Sequence, residues 1–198
     1  MHIEELYEKF CRDFRKSVNL TRLSSTTEWT KEILKYFSCL GENENEQYKI
    51  YANPKDIEKV ERSYLVDLCW SKEGKEGKEG KEGHDYKDYK GLEFILESEW
   101  STEEDEIMWD FCKLIDIKAN LKVMVICIEE RRINGIVEEM AATIKKGDLK
   151  LKEEIYLVII FVPLPSVYNP ERYIIKGCRI DSNGINQSLQ PTDFNLTN

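Results

Sequence analysis

The sequence predicts an α/β fold in which helices cover both faces of a central mixed sheet. The first observation behind this is the element order: apolar periodicity alternates between helical and strand spacing to give ααβββαβαββ. The second is a pair of runs, LKVMVICIEE (121–130) and EIYLVIIFVPL (154–164), apolar at almost every position and therefore suited to strands buried on both faces. The third is the arrangement around them. A meander of strands precedes a helix–strand–helix–strand alternation, which a mixed sheet accommodates best.

The elements follow in chain order. Ile3, Leu6, Tyr7, Phe10, Phe14 and Val18 recur at helical spacing over 3–18. A second helix is expected over about 25–40, capped by Ser24 or Ser25, with Trp29, Ile33, Leu34, Phe37 and Leu40 as its stripe. GENENEQ reads as a loop and QYKIYAN (47–53) as a strand stopped by Asn53-Pro54. RSYLVDLCW (62–70) is a strand, apolar on both faces except at Asp67. KEG then repeats four times from Lys72 to Gly83, with Lys and Glu cancelling and Gly at every third position. Residues 71–90 are accordingly a low-complexity, flexible hairpin insertion. Removing it sets RSYLVDLCW beside GLEFILESEW (91–100) as an antiparallel hairpin. Ser101 with Glu104 has the spacing of a capping box for a helix reaching about Ala119. Another helix spans about 133–146, closed by Gly147, and RYIIKGCRI is an edge strand or hairpin partner. Residues 1–182 thus form one domain, and the Asn-, Gln-, Ser- and Thr-rich 183–198 read as a loose tail.

Composition narrows the function. The 198 residues carry 29 Lys plus Arg against 38 Asp plus Glu, a net charge of −9, which disfavours holding nucleic acid by bulk electrostatics. No apolar run approaches the roughly 18 residues of a membrane helix, and MHIEELYEKF is unlike a secretory signal. Cys11, Cys39, Cys69, Cys112, Cys127 and Cys178 form no CxxC pair, and His2 and His84 are the only histidines. That pattern predicts free, buried thiols in a cytoplasmic protein and argues against zinc or a His-dependent nucleophile. P-loop, dinucleotide and HExxH motifs are absent.

The informative feature is acidic. Glu93, Glu97, Glu99, Glu103, Glu104, Asp105, Glu106 and Asp110 follow one another with no Lys or Arg before Lys113. The four acids of 103–106 suit the first turn of a helix, where they oppose the macrodipole. Glu93, Glu97 and Glu99 share one strand face, for which a solvated face is the ordinary reading. Asp67 resists that reading, because a carboxylate in a strand apolar on both sides is buried and needs a partner or a cation. Across the hairpin Asp67 approaches Glu97, and two such charges require a proton or a metal between them. Mg²⁺ takes one or two carboxylates together with water and phosphate oxygens, which suits this pair.

Asp67 in YLVDLCW, Glu97-Ser98-Glu99 in LEFILESEW, and the following helix and apolar strand LKVMVICI resemble the PD-(D/E)xK nuclease superfamily over roughly residues 45–130. The resemblance implies a three-layer α/β/α, restriction-endonuclease-like core in which Asp67 and Glu97 ligate Mg²⁺ or Mn²⁺. The third motif position, usually Lys, orients or activates the attacking water. Here Glu99 stands in its place, Val66 precedes Asp67 where Pro is usual, and Lys113 in Asp110-Phe111-Cys112-Lys113-Leu114 is the alternative holder of the role. The implied activity is metal-dependent phosphodiester hydrolysis of nucleic acid, DNA in preference to RNA. Arg131, Arg132, Lys145, Lys146, Lys118 and Lys122 are candidates to grip a backbone, or are ordinary surface charge. Trp100 is a candidate to stack on a base, or a core residue. Two other readings compete: a binding or regulatory module that keeps the fold without catalysis, and an acidic interaction protein in which a basic residue pairs with Asp67.

Overall fold

A computed structural model describes residues 2–18, 23, 25–44, 48–52, 65–73, 89–147, 154–164 and 172–195. Helices α1 (Ile3–Ser17) and α2 (Thr26–Glu44) come first, then strands β1 (Tyr48–Ala52), β2 (Leu68–Glu73) and β3 (Tyr89–Glu99). Helix α3 (Glu104–Asp116) leads to β4 (Ala119–Cys127). A 3-10 turn (Glu130–Arg132) opens α4 (Ile133–Lys146), and β5 (Ile155–Pro163), β6 (Arg172–Asp181) and β7 (Asn186–Asn195) complete the chain. The fold is mixed α/β, as the sequence predicts.

All seven strands join one sheet in chain order, β1-β2-β3-β4-β5-β6-β7. β3, β4 and β5 run parallel, and every other neighbouring pair is antiparallel. The parallel pairs are those separated by a helix, because a parallel return needs a crossover while an antiparallel one needs only a turn. The pleat divides the apolar residues into two clusters. Leu68, Trp70, Phe94, Leu96, Val123, Val125, Leu157, Ile159 and Phe161 pack with α1 and α2. Cys69, Ile95, Met124, Ile126, Val158, Ile160 and Val162 pack with α3 and α4. Alternating residues of β4 and β5 go to opposite clusters, which is why those strands are apolar at nearly every position.

The first cluster is largely aromatic. Phe10 stacks on Phe14 at 4.6 Å and on Phe37 at 5.5 Å, and Trp70 stacks on Phe94 at 4.2 Å. Helix α2 begins with a reciprocal cap: Ser25 Oγ accepts the Glu28 N–H, and Glu28 Oε2 accepts the Ser25 N–H. Helix α3 starts differently from the expected capping box. Ser101 Oγ accepts the Glu103 N–H at 3.1 Å, and the helix begins at Glu104.

Several expectations need correction. The segment read as a loose tail contains β7, because the Asp181 carboxylate accepts the Asn183 and Ile185 N–H groups in a tight turn that sends the chain back along β6. Gly184 takes φ +73° in that turn, and Phe194 is buried at the far end of the strand. β6 is therefore an interior strand. Asp67 lies in a bend just ahead of β2 rather than inside a strand, and β2 continues to Glu73, into the first residues assigned to the insertion. Residues 74–88 of that insertion lie outside the described residues. Lys122 is fully buried, its Nζ 2.7 Å from Glu154 Oε1 and 3.3 Å from Tyr156 Oη, so it grips no ligand at the surface. All six cysteines are free thiols, but of these Cys69 and Cys178 are buried, Cys11, Cys112 and Cys127 half-buried, and Cys39 exposed. Among the described residues no helix is long and apolar enough to cross a membrane.

Gly41 sits within α2 against the Trp70 indole, and a Cβ there would lie 2.6 Å from Trp70 Cε2 and 2.7 Å from Ile50 Cδ1. The indole cannot retreat, since its Nε1–H donates to the Phe37 carbonyl and its ring is stacked on both sides. Gly→Ala within a helix ordinarily stabilises by about 1 kcal/mol. Gly41→Ala is expected to do the reverse, lowering the melting temperature by about 2–8 °C as overpacking outweighs propensity. Differential scanning calorimetry checks the sign.

Candidate functional site

The register that pairs Leu68 with Leu96 sets Asp67, one residue ahead, across from Glu97. The bend holds Asp67 there because its Oδ2 accepts the Ser98 N–H at 2.9 Å. On β3, Glu97 follows Ile95 by two residues and so faces the same side of the sheet, the side covered by α3. It is only 1% exposed, which overturns the solvated-face reading for this residue. Glu93 lies at the other end of β3, paired with Lys72 and bonded to Asn120, away from the cluster.

Helix α3 turns Asp110 and Lys113 toward these acids. Lys113 Nζ is 2.5 Å from Asp110 Oδ1 and 3.5 Å from Glu97 Oε1. No hydrogen bond satisfies Glu97 Oε1, although the atom is buried. Glu99 Oε1 accepts the Ser101 N–H at 2.5 Å, and the Glu99 carboxyl also shares a hydrogen bond with Asp110. Asp67, Glu97, Glu99, Asp110 and Lys113 line one cavity of about 460 Å³ at the end of β3. Its other wall, from α2, carries the hydroxyls of Thr26, Thr27 and Thr30. All four residues proposed from sequence as catalytic thus come together. Asp110 and the threonines line it without having been proposed as site residues, and Ser98, Trp100 and Ser101 complete the lining. Asp110 was legible as the residue one helical turn before Lys113, whereas no pattern marked the threonines.

The electrostatics follow from burial. Desolvation, then the Asp67 charge, push the Glu97 carboxyl from its ordinary range to about 9, against the opposing pull of Lys113. Desolvation likewise raises Asp67 to about 6, although the Ser98 N–H favours its charged form. Glu99 is raised by burial and by its shared hydrogen bond with Asp110. Desolvation opposes the charge on Lys113, but the Asp110 hydrogen bond and the neighbouring carboxylates outweigh it and hold the ammonium protonated.

Among the described residues no three His, Cys, Asp or Glu side chains are gathered as a ready metal-ligand set. The donor chemistry of the Asp67–Glu97 pair nevertheless fits a hard divalent cation that keeps water in its remaining positions. The unsatisfied oxygen of Glu97 is the specific point of fit.

Trp100, the stacking candidate, also lines the cavity, half-buried, with its ring on Trp29 at 4.9 Å and its Nε1–H donating to Ser98 Oγ. The other candidates fall elsewhere. Arg131 pairs with Glu129, and Arg132 with Glu104 and the Thr102 carbonyl. Lys145 and Lys146 are exposed at the end of α4, and Lys118 is exposed between α3 and β4. None of these five basic residues lines the cavity. Comparison with protein-family models, curated proteins and solved structures finds no match.

A raised carboxyl makes stability fall with pH. The folded chain keeps its proton where the unfolded chain has lost it, so the contribution of Glu97 is complete below its ordinary pKa of 4.5 and is lost as pH rises toward about 9. Metal-free wild type is therefore expected to lose melting temperature between pH 5 and pH 9. Glu97→Gln should flatten the curve above pH 6 and melt higher at pH 8, at about 2–4 °C per kcal/mol recovered. Identical falls in the two proteins would mean that Glu97 is already ionised at neutral pH.

Proposed function

We propose that the chain is a metal-dependent phosphodiester hydrolase of nucleic acid, DNA in preference to RNA, on a three-layer, restriction-endonuclease-like core of PD-(D/E)xK type. The observation that carries this reading is Glu97, buried beside Asp67 in a cavity, with an oxygen that accepts no hydrogen bond and is opposed by the Lys113 ammonium at 3.5 Å. A carboxylate pair with one member buried and the other half-buried carries a cost that a cation or a proton relieves. In the proposed enzyme Asp67 and Glu97 would hold Mg²⁺ or Mn²⁺. The bound cation would supply Lewis acidity toward a phosphoryl oxygen and a lowered pKa for water.

The chain's own groups divide the remaining work. Asp110 positions the Lys113 ammonium beside Glu97, and the raised pKa keeps it charged, which suits a group that steadies negative charge on phosphate better than one that takes a proton. This supports Lys113 for the third motif role over Glu99, whose carboxyl is already engaged by Ser101 and Asp110. The Ser98 N–H orients Asp67.

A second reading, a nuclease-fold binding or regulatory module without catalysis, is favoured by one observation. The basic residues expected to grip a backbone include Lys122, buried against Glu154, and Arg131 and Arg132, each paired with an acid.

Calorimetric titration of Mn²⁺ into wild type and Glu97→Ala separates metal chemistry from its absence. Saturable binding is expected in the wild type and its loss in the variant, with far-ultraviolet circular dichroism confirming that the variant is folded. No binding by either protein would sink the catalytic reading.

A further inference from the structure

The four tryptophans are not alike. Trp29 and Trp70 are buried, Trp100 is half-buried against Trp29, and Trp109 is 72% exposed. A large aromatic surface left in water is costly, and tryptophan is among the most buried residue types on average. Its place on α3 gives that exposure a direction. Ile107, Phe111 and Leu114 are the buried stripe of the helix. At 100° per residue Asp110 and Lys113 lie along one flank of that stripe, and both line the cavity. Trp109 precedes Lys113 by four residues, so the two are neighbours on one helix face, one turn apart and displaced by about 6 Å along the axis.

We infer that Trp109 is a stacking platform for an unpaired nucleobase, so that the substrate is a single-stranded segment of nucleic acid. The inference rests on the nuclease reading of the adjoining cavity and adds the substrate class to it. The charge around Trp109 selects the part of the strand that docks there. Asp105, Glu106 and Asp110 neighbour Trp109 on α3, and the chain carries −9 overall, so a phosphate is repelled from the indole's own surroundings, away from Lys113 and the proposed cation. The π-face of a base carries no net charge and gains most from the exposed indole. Bases within a duplex remain stacked on one another and cannot reach it, whereas those of a single strand, overhang or flap can. A strand whose phosphate enters the cavity at Lys113 would meet Trp109 with the neighbouring nucleotide.

The test compares wild type, Trp109→Ala and Trp109→Phe. Affinity is read with metal withheld, so that the proposed hydrolase cannot cut the probe, by anisotropy of a fluorescein-labelled single-stranded DNA and of a hairpin duplex of matched composition. Trp109→Ala is expected to weaken single-strand binding about 10- to 100-fold. Trp109→Phe should recover most of that loss, and duplex binding, the melting temperature and the Mn²⁺ isotherm should not move. Unchanged single-strand affinity, an equal loss for both probes, or no binding by the wild type would each overturn the inference. So would a dimer that Trp109→Ala converts to monomer in light scattering, since the indole would then cover a second copy of the chain. The two proposals fail separately. Mn²⁺ binding without an effect of Trp109 on DNA removes only the platform. Trp109-dependent binding of single strands without metal binding removes only the hydrolase.

Discussion

The structure depends on three parallel strands that no single layer of helices can cover. β3, β4 and β5 place apolar side chains on both faces through most of their length, and each face must be sealed. Helices α3 and α4 seal one face because they are also the crossovers that parallel pairing requires. The other face is sealed by α1 and α2 from the start of the chain, through the aromatic cluster around Phe10 and Phe37. The acidic cavity is a by-product of the same geometry. The pleat that hides Ile95 beneath α3 also hides Glu97 two residues later, whatever the cost of burying its charge.

That cost shapes the chemistry of the site. Four carboxyl groups, Asp67, Glu97, Glu99 and Asp110, face one ammonium group, Lys113. One lysine does not balance them, and burial pushes the Glu97 carboxyl up to about 9 and raises that of Glu99 as well. A proton and a divalent cation are alternative answers to the same local surplus of charge.

Much of this arrangement was legible in the sequence, for identifiable reasons. Helical stripes such as Leu6, Phe10 and Phe14 and the doubly apolar β4 and β5 are strong periodic signals. The pairing of Asp67 with Glu97 followed from setting aside a repeat of obviously different composition. What escaped was set by tertiary context. The polar side chains of β7 suit an edge strand that faces water, and only the Asp181 turn commits them to the sheet. Lys122 lies at an apolar strand position because Glu154 and Tyr156, distant in sequence, converge on it. Trp100 was the stacking candidate that sequence offered, and packing gives it a partner in Trp29 at the edge of the cavity. Trp109 carried no signal of its own, because only packing reveals that its ring is left outside the core.

Tyr7 carries a consequence of another kind. Its hydroxyl donates to the carbonyls of Ile175 and Gln190, residues 168 and 183 positions further along the chain, and its ring fills the space above Gly177. The first helix therefore completes its contacts only against the last two strands. During synthesis α1 can first bury its stripe only against α2, and the rest of its contacts wait for β5, β6 and β7. Contacts of such long sequence separation close late and slow folding, because the chain entropy lost in forming them is repaid only at the end.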